Sequence, residues 1–174
     1  AALADRGVAA SSVSLVVLTH GHADHAGLAA DLQKLARAQV VLGAGDMPLA
    51  AAGHNAHLRP TGFAGAFLKP FITSVYPELV PDVVVWPNAP VDLRPWGLDG
   101  KVVAMPGHTR GSVCLLHREF LFAGDHVSWR VEHDRIGAWR NVCWYDWEEQ
   151  TRSMQRLADY RFEWILPGHG RRCR

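Results

Sequence analysis

The stretch Thr19-His20-Gly21-His22-Ala23-Asp24-His25-Ala26-Gly27-Leu28 constrains this chain more than any other. Three histidines and an aspartate fall within six positions, directly after the apolar run Leu15-Val16-Val17-Leu18. That run is long enough for a buried strand and too short for a helix. His20, His22 and His25 are spaced two and three apart, so neither the period of a strand nor that of a helix brings all three and Asp24 to one face. A loop curled around a centre does, with Asp24 where a following helix begins. Imidazole and carboxylate are donors that borderline divalent cations such as zinc select. The stretch reads as a metal cradle.

The same local pattern returns at Pro106-Gly107-His108-Thr109, Ala123-Gly124-Asp125-His126 and Leu166-Pro167-Gly168-His169-Gly170. Each place couples an apolar run to a glycine turn and a residue of ligand type, which gives the first motif the context it needs. Together, HxHxDH, PGHT, GD and PGHG resemble the metallo-β-lactamase superfamily over nearly the whole chain. They are closer to its glyoxalase II-like and lactonase-like hydrolases than to the true β-lactamases. The resemblance implies a four-layer αβ/βα sandwich. It also implies two divalent metal ions, zinc first, with iron or manganese as alternatives. His20, His22 and His108 would hold one metal and Asp24, His25 and His169 the other, with Asp125 between them. True β-lactamases of the superfamily usually lack counterparts of His25 and Asp125, which disfavours antibiotic hydrolysis.

The chemistry implied is hydrolysis by a hydroxide bridging the two metals, because a shared water has its pKa depressed toward about 7. Asp24 and Asp125 carry the catalytic roles in this reading, Asp24 by orienting the nucleophile. The substrate is a small molecule: an ester, a lactone or a thioester. Glyoxalase II carries a helical region for the glutathione thioester after its last histidine, whereas five residues follow His169 here, and this weakens the thioester assignment. The competing reading is a persulfide dioxygenase-like oxidoreductase with one iron on His20, His22 or its neighbour, His108 and Asp125. A further alternative is a fragment that binds metal without turnover.

Composition narrows the partners. The chain has 174 residues, with 18 Lys and Arg against 17 Asp and Glu, so one domain is expected and no overall basic field attracts nucleic acid. The tail Arg171-Arg172-Cys173-Arg174 reads as a solvated end. With neither a charge excess nor a basic arm, the nucleases of the superfamily rank low. Cys114, Cys143 and Cys173 are odd in number and lack CxxC spacing, which points to a reducing compartment such as the cytoplasm. No apolar run approaches the roughly 20 residues of a membrane span. The chain starts without Met and reaches the metal loop by residue 20, so early strands of the first sheet, and any targeting segment, are expected to be missing.

In chain order, Leu3 to Arg6 is expected to end a helix at Gly7, and Ser14 to Leu18 to form the first strand. Ala26 to Gln39 follows as a helix whose Leu28, Leu32 and Leu35 should cover the sheet. Val40 to Leu42 is the next strand. Between 46 and 81, a possible lid, Phe63, Phe67 and Phe71 suggest a packed helical stripe, with the helix expected to start at Pro70 because proline interrupts a helix interior. His54 and His57 are read as surface or lid residues. Strands are expected at 83–86, 91–93, 101–105, 113–116 and 120–123, the last two as a hairpin delivering Asp125 beside His108. Thr109 and Ser112 should brace that loop. Trp129, Trp139, Trp144, Trp147 and Tyr145 either wall a substrate pocket or anchor a long loop. Asp146 with Glu149 has the spacing of a helix cap, and the strand Glu163 to Leu166 presents His169.

Overall fold

The computed structural model describes residues 3–55, 58–72, 74–130 and 133–174. After a short 3-10 turn, Ala4–Arg6, closed by Gly7, the first strand β1 spans Leu15–Val17. Helix α1, Ala23–Ala26, and helix α2, Ala29–Ala36, lead to β2, Gln39–Gly43. Helices α3, Met47–Ala52, and α4, Phe63–Ile72, precede β3, Val83–Val85. The β-rich part follows as β4, Val91–Asp92, β5, Gly100–Ala104, β6, Val113–His117, and β7, Phe120–Gly124. A hairpin of β8, Ser128–Arg130, and β9, Arg135–Gly137, leads through a 3-10 turn to helix α5, Trp147–Arg156, and strand β10, Trp164–Pro167.

The strands form two main sheets. One is parallel, in the order β1-β2-β3, with β1 at an edge; the other runs β10-β7-β6-β5-β4. Both are legible in the side-chain alternation of a strand. Val40 and Leu42 of β2 pack toward the helices with Ala26, Ala29, Ala30 and Leu79, while Val41 turns the other way to meet Val85, Leu93, Val102 and Val113. On the second sheet, Val103 and Cys114 face outward with Met105, Leu121 and Leu157, beside Met154 of α5. The result is helix, sheet, sheet and helix, the four layers expected, with the β6–β7 hairpin turning at Arg118 and Glu119.

Two helical expectations are corrected. The helix predicted over 26–39 starts earlier, at Ala23, and is broken at Gly27 and Leu28 into α1 and α2. Its leucines do not cover the sheet: Leu28 is 72% and Leu35 65% exposed, and the alanines Ala26, Ala29 and Ala30 are buried instead. Small side chains let the helix lie close to the branched residues of β2, and Gln33 fastens the same side by donating to Val80 O at 3.0 Å and Asp82 Oδ2 at 2.8 Å. Helix α4 runs through Pro70 rather than starting there. A proline in the last turn removes one hydrogen bond, and tertiary packing overrides it: Gly65 lies against the backbone of Asn141, so close that a Cβ would fall 2.6 Å from the Asn141 carbonyl oxygen. Nor is the stripe packed, since Phe63 is 91% and Phe67 69% exposed; the Phe71 side chain and His57 lie outside the described residues. No helix among the described residues is long and apolar enough to cross a membrane.

The corrected packing has a direct consequence for stability. Leu42→Ala removes a fully buried side chain from the first sheet and should cost about 2–5 kcal/mol in denaturant unfolding. Leu35→Ala should stay within about 0.5 kcal/mol; equal losses at the two positions would contradict the packing described.

Candidate metal centre

The ends of four strands meet beside the start of α1. The residues after β1 carry His20 and His22, and α1 carries Asp24 in its first turn and His25 one residue later. The loop after β5 brings His108, the end of β7 brings Asp125, and the residues after β10 bring His169. All seven residues named from the sequence fall into two groups that share Asp125: His20, His22, His108 and Asp125, and Asp24, His25, Asp125 and His169. His54 and His126 belong to neither group. His126 is buried with both ring nitrogens lacking a hydrogen-bond partner, and burial pushes its pKa down to about 4.

The spacing within the groups fits a cation. His22 Nδ1 lies 3.0 Å from His20 Nε2 and 3.3 Å from His108 Nε2, and Asp125 Oδ2 lies 3.9 Å from His20 Nε2 and 3.7 Å from His108 Nε2. Bonds of about 2.0–2.1 Å to a tetrahedral ion give donor separations of about 3.3 Å. In the second group, His169 Nε2 is 3.1 Å from Asp24 Oδ2 and 3.4 Å from Asp125 Oδ2, and His25 Nε2 is 3.3 Å from Asp125 Oδ1. Asp125 therefore turns one oxygen toward His25 and the other toward His20, His108 and His169. His25 Nε2 and Asp125 Oδ1 are buried and face each other at 3.3 Å without an aligned hydrogen bond, a cost that native sites normally relieve.

The protonation states suit coordination. Burial, with the neighbouring imidazoles adding to it, drives the pKa of His20 and His108 well below the ordinary value, and that of His22 to about 4. These rings are neutral near pH 7, the form that offers a lone pair. Burial alone would raise Asp125, but the close imidazole of His25 and the charges of His108, His25 and His169 outweigh it, and its pKa is lowered. His25 shows the reciprocal effect: burial lowers it, and the nearby carboxylates of Asp125 and Asp24 raise it on balance.

What holds the loops in place was partly visible beforehand. Thr109 and Ser112 brace the His108 loop as expected, with the Thr109 N–H donating to Ser112 Oγ at 2.9 Å. Three further residues were not singled out. Asp46, fully buried at the end of a 3-10 turn after β2, accepts from Gly21 N at 2.8 Å, Thr109 Oγ1 at 2.6 Å and Gly111 N at 2.7 Å. It ties the His20 loop to the His108 loop; burial pushes its pKa up and the three donations pull it back. The Tyr76 hydroxyl donates to Gly21 O at 2.6 Å. Thr19 Oγ1 sits 3.2 Å from His20 Nδ1 and 3.5 Å from His25 Nδ1, the ring nitrogens opposite those that face the carboxylates, which is how such a contact selects the coordinating tautomer. Asp46 left one trace in the sequence: an acid in Gly43-Ala44-Gly45-Asp46, directly after an apolar strand.

Two glycines of the motifs have steric causes. Gly107 has φ +142, and a Cβ there would meet the backbone of Gln150 in α5. A Cβ on Gly168 would come within 2.7 Å of His25 Cε1. Helix α5 is itself capped as predicted, with Asp146 accepting from Glu149 N at 2.9 Å, and the Asp146 N–H donates to Gly107 O at 3.0 Å. The aromatic segment does both of the things expected of it. Trp144 is buried, and its backbone N–H donates to His108 O at 2.9 Å; Trp129, Trp139 and Trp144 also line a cleft of about 620 Å3 that opens over the two clusters. Asn55, Leu58 and Ser74, from the segment read as a possible lid, line the same cleft.

The family model of the metallo-β-lactamase superfamily matches residues 1–169, and the chain belongs to that superfamily. No curated protein matches it significantly. Among solved structures, the protein TTHA1623 in a di-iron-bound form is 23% identical with a TM-score of 0.66, over 99% of this chain and 76% of that one. An archaeal superfamily protein, ST1585 from Sulfolobus tokodaii, is 20% identical with a TM-score of 0.63, over 92% and 62%. The class B3 di-zinc metallo-β-lactamase LRA-12 from an Alaskan soil metagenome is 17% identical with a TM-score of 0.63, over 96% and 61%. These likenesses share the fold, and the chain spans about three fifths of the length of the latter two.

Removing the central acceptor tests the clamp. Asp46→Ala leaves two buried N–H groups and a hydroxyl without their partner, and should destabilise the fold by about 3 kcal/mol or more in denaturant unfolding. Asp46→Asn, which retains one acceptor oxygen, should cost less. An Asp46→Ala chain as stable as the parent would remove Asp46 from this role.

Proposed function

We propose that the chain is a dinuclear metal-dependent hydrolase acting on an ester-class bond: an ester, a lactone or a thioester. The observation that carries this reading is the Asp125 carboxylate, which presents Oδ1 to His25 at 3.3 Å and Oδ2 to His169, His108 and His20. One side chain thereby belongs to two complete donor groups. His20, His22 and His108 would hold the first ion as neutral imidazoles, and Asp24, His25 and His169 the second. Bound divalent ions supply Lewis acidity and acidify a water near neutral pH, so that no serine or cysteine nucleophile is required.

The chain's own residues do the rest. Asp24 and His169 are the open members of the site, with side chains 55% and 61% exposed, and both line the cleft. Asp24 is a carboxylate placed at that opening to orient a water. His108 lines the floor of the cleft, and both it and His20 are buried. Trp144, edge-on to His22 with ring centroids 6.4 Å apart, keeps water from that side. A persulfide dioxygenase-like site would use one ion on the first group, and metal content together with oxygen uptake separates the two readings. Zinc is the first choice for histidine and carboxylate donors, with iron or manganese accepted by the same set.

Metal-replete protein should contain about two ions per chain by elemental analysis. His169→Ala should lower that toward one ion while sparing the first group. Against a panel of aryl esters, lactones and glutathione thioesters, at least one class should be hydrolysed, with chelator abolishing the activity and Asp125→Asn costing at least about a hundredfold in kcat/KM. Undiminished turnover in Asp125→Asn would place the chemistry elsewhere. Oxygen uptake with a persulfide by a chain holding a single iron would favour the oxidoreductase reading instead.

A further inference from the structure

The walls of the cleft carry more apolar than polar surface, with Asn55, Ser74 and Ser128 as neutral polar members. Trp129, Trp139 and Trp144 contribute indoles, and Leu58 and Val142 add aliphatic surface. The acids of the lining, Asp24 and Asp125, both belong to the ligand groups, and Arg130 is the one Lys or Arg among the described lining residues. A ligand portion that extends away from the ions therefore meets apolar and aromatic surface, with little to pair an ammonium or several carboxylates. Burying unpaired charges against such a wall is costly.

The indoles are also held in place before any ligand arrives. Strands β8 and β9 pair Trp129 with Ile136, and Ile136 packs on the core of the second sheet. Arg171 stacks on the Trp129 ring, its guanidinium carbon 4.1 Å from the centroid, and is tied to Asp134 at 2.6 Å. Arg130 lies over the Trp139 ring at 5.1 Å. Trp144 is fixed beside His22 and His108, as described above. A preformed aromatic wall loses little freedom on binding, which favours flat, bulky, apolar groups over flexible polar ones.

We infer that this cleft selects ester-class substrates bearing an aromatic or comparably bulky apolar group, seated against Trp129 and Trp139 while the scissile carbonyl reaches the ligand groups. The inference rests on the hydrolase reading for the reaction, but not for the binding preference. It implies that glutathione thioesters, with two carboxylates and an ammonium, are poor substrates.

Trp139 is the practical point of attack because it sits at the rim, 45% exposed, where truncation leaves the core intact. The zinc-loaded full chain and its Trp139→Ala and Trp139→Phe variants would be assayed with 2-naphthyl acetate, ethyl acetate and a glutathione thioester. In parallel, calorimetry would follow the binding of 2-naphthol to the same proteins, with and without chelator. The expected results are a kcat/KM that favours the naphthyl ester, and a naphthyl-to-ethyl ratio that falls roughly three- to tenfold in Trp139→Ala through KM and recovers in Trp139→Phe. The Kd for 2-naphthol should weaken by a similar factor in Trp139→Ala. Hydrolysis without naphthyl preference, a ratio unmoved by Trp139→Ala, or faster turnover of the glutathione thioester would overturn the inference and leave the hydrolase reading standing. Binding of 2-naphthol that weakens in Trp139→Ala, with no ester hydrolysed at all, would support the aromatic site and remove the hydrolase reading.

Discussion

A carboxylate with no exposed surface joins the parts of this molecule that come from different sheets. Asp46 receives hydrogen bonds from the His20 loop through Gly21 and from the His108 loop through Thr109 and Gly111. Desolvating an acid is expensive, and only a full set of donors offsets it. The arrangement is therefore narrow: the two loops must stand where their donors meet the two oxygens of Asp46. Because those loops leave the ends of β1 and β5, in different sheets, the same contact aligns the sheets. The position of His108 relative to His20 and His22 follows from it.

That alignment explains why the two donor groups differ in character. The first lies under Trp144 and between the sheets, so burial keeps His20, His22 and His108 neutral. The second is built from α1 and the residues after β10, at the open end of the cleft. Its acid Asp24 and its histidine His169 meet solvent. A buried group suited to holding an ion firmly thus stands beside an open group suited to meeting a ligand, with Asp125 common to both. The tryptophans of the segment after Asp125 complete the asymmetry by covering one side of the opening.

The residues of the two clusters were legible because each of them lies beside a strand end marked by glycine and an apolar run. Local sequence carries that pattern, since strand alternation and turn residues act over a few positions. The helix cap at Asp146 and the hairpin at Arg118 were legible for the same reason. Asp46, Tyr76 and Thr19 were not, because each acts on residues brought near by folding: Asp46 reaches Gly111 across 65 positions and Tyr76 reaches Gly21 across 55. The leucines of α2 misled for a related reason. Periodicity finds an apolar stripe, yet it cannot tell that the strand beneath leaves room only for alanine.

By itself, then, the amino-acid sequence determined the candidate donors, the strands that present them and the four-layer class of the fold, all consequences of short-range pattern and side-chain chemistry. Tertiary structure decided which face of α2 is buried, that α4 passes through Pro70, that a buried acid clamps the two loops, and that three tryptophans wall the opening. These depend on close packing and on the pairing of buried polar groups, interactions between residues far apart in the chain whose energies exist only once the sheets have met.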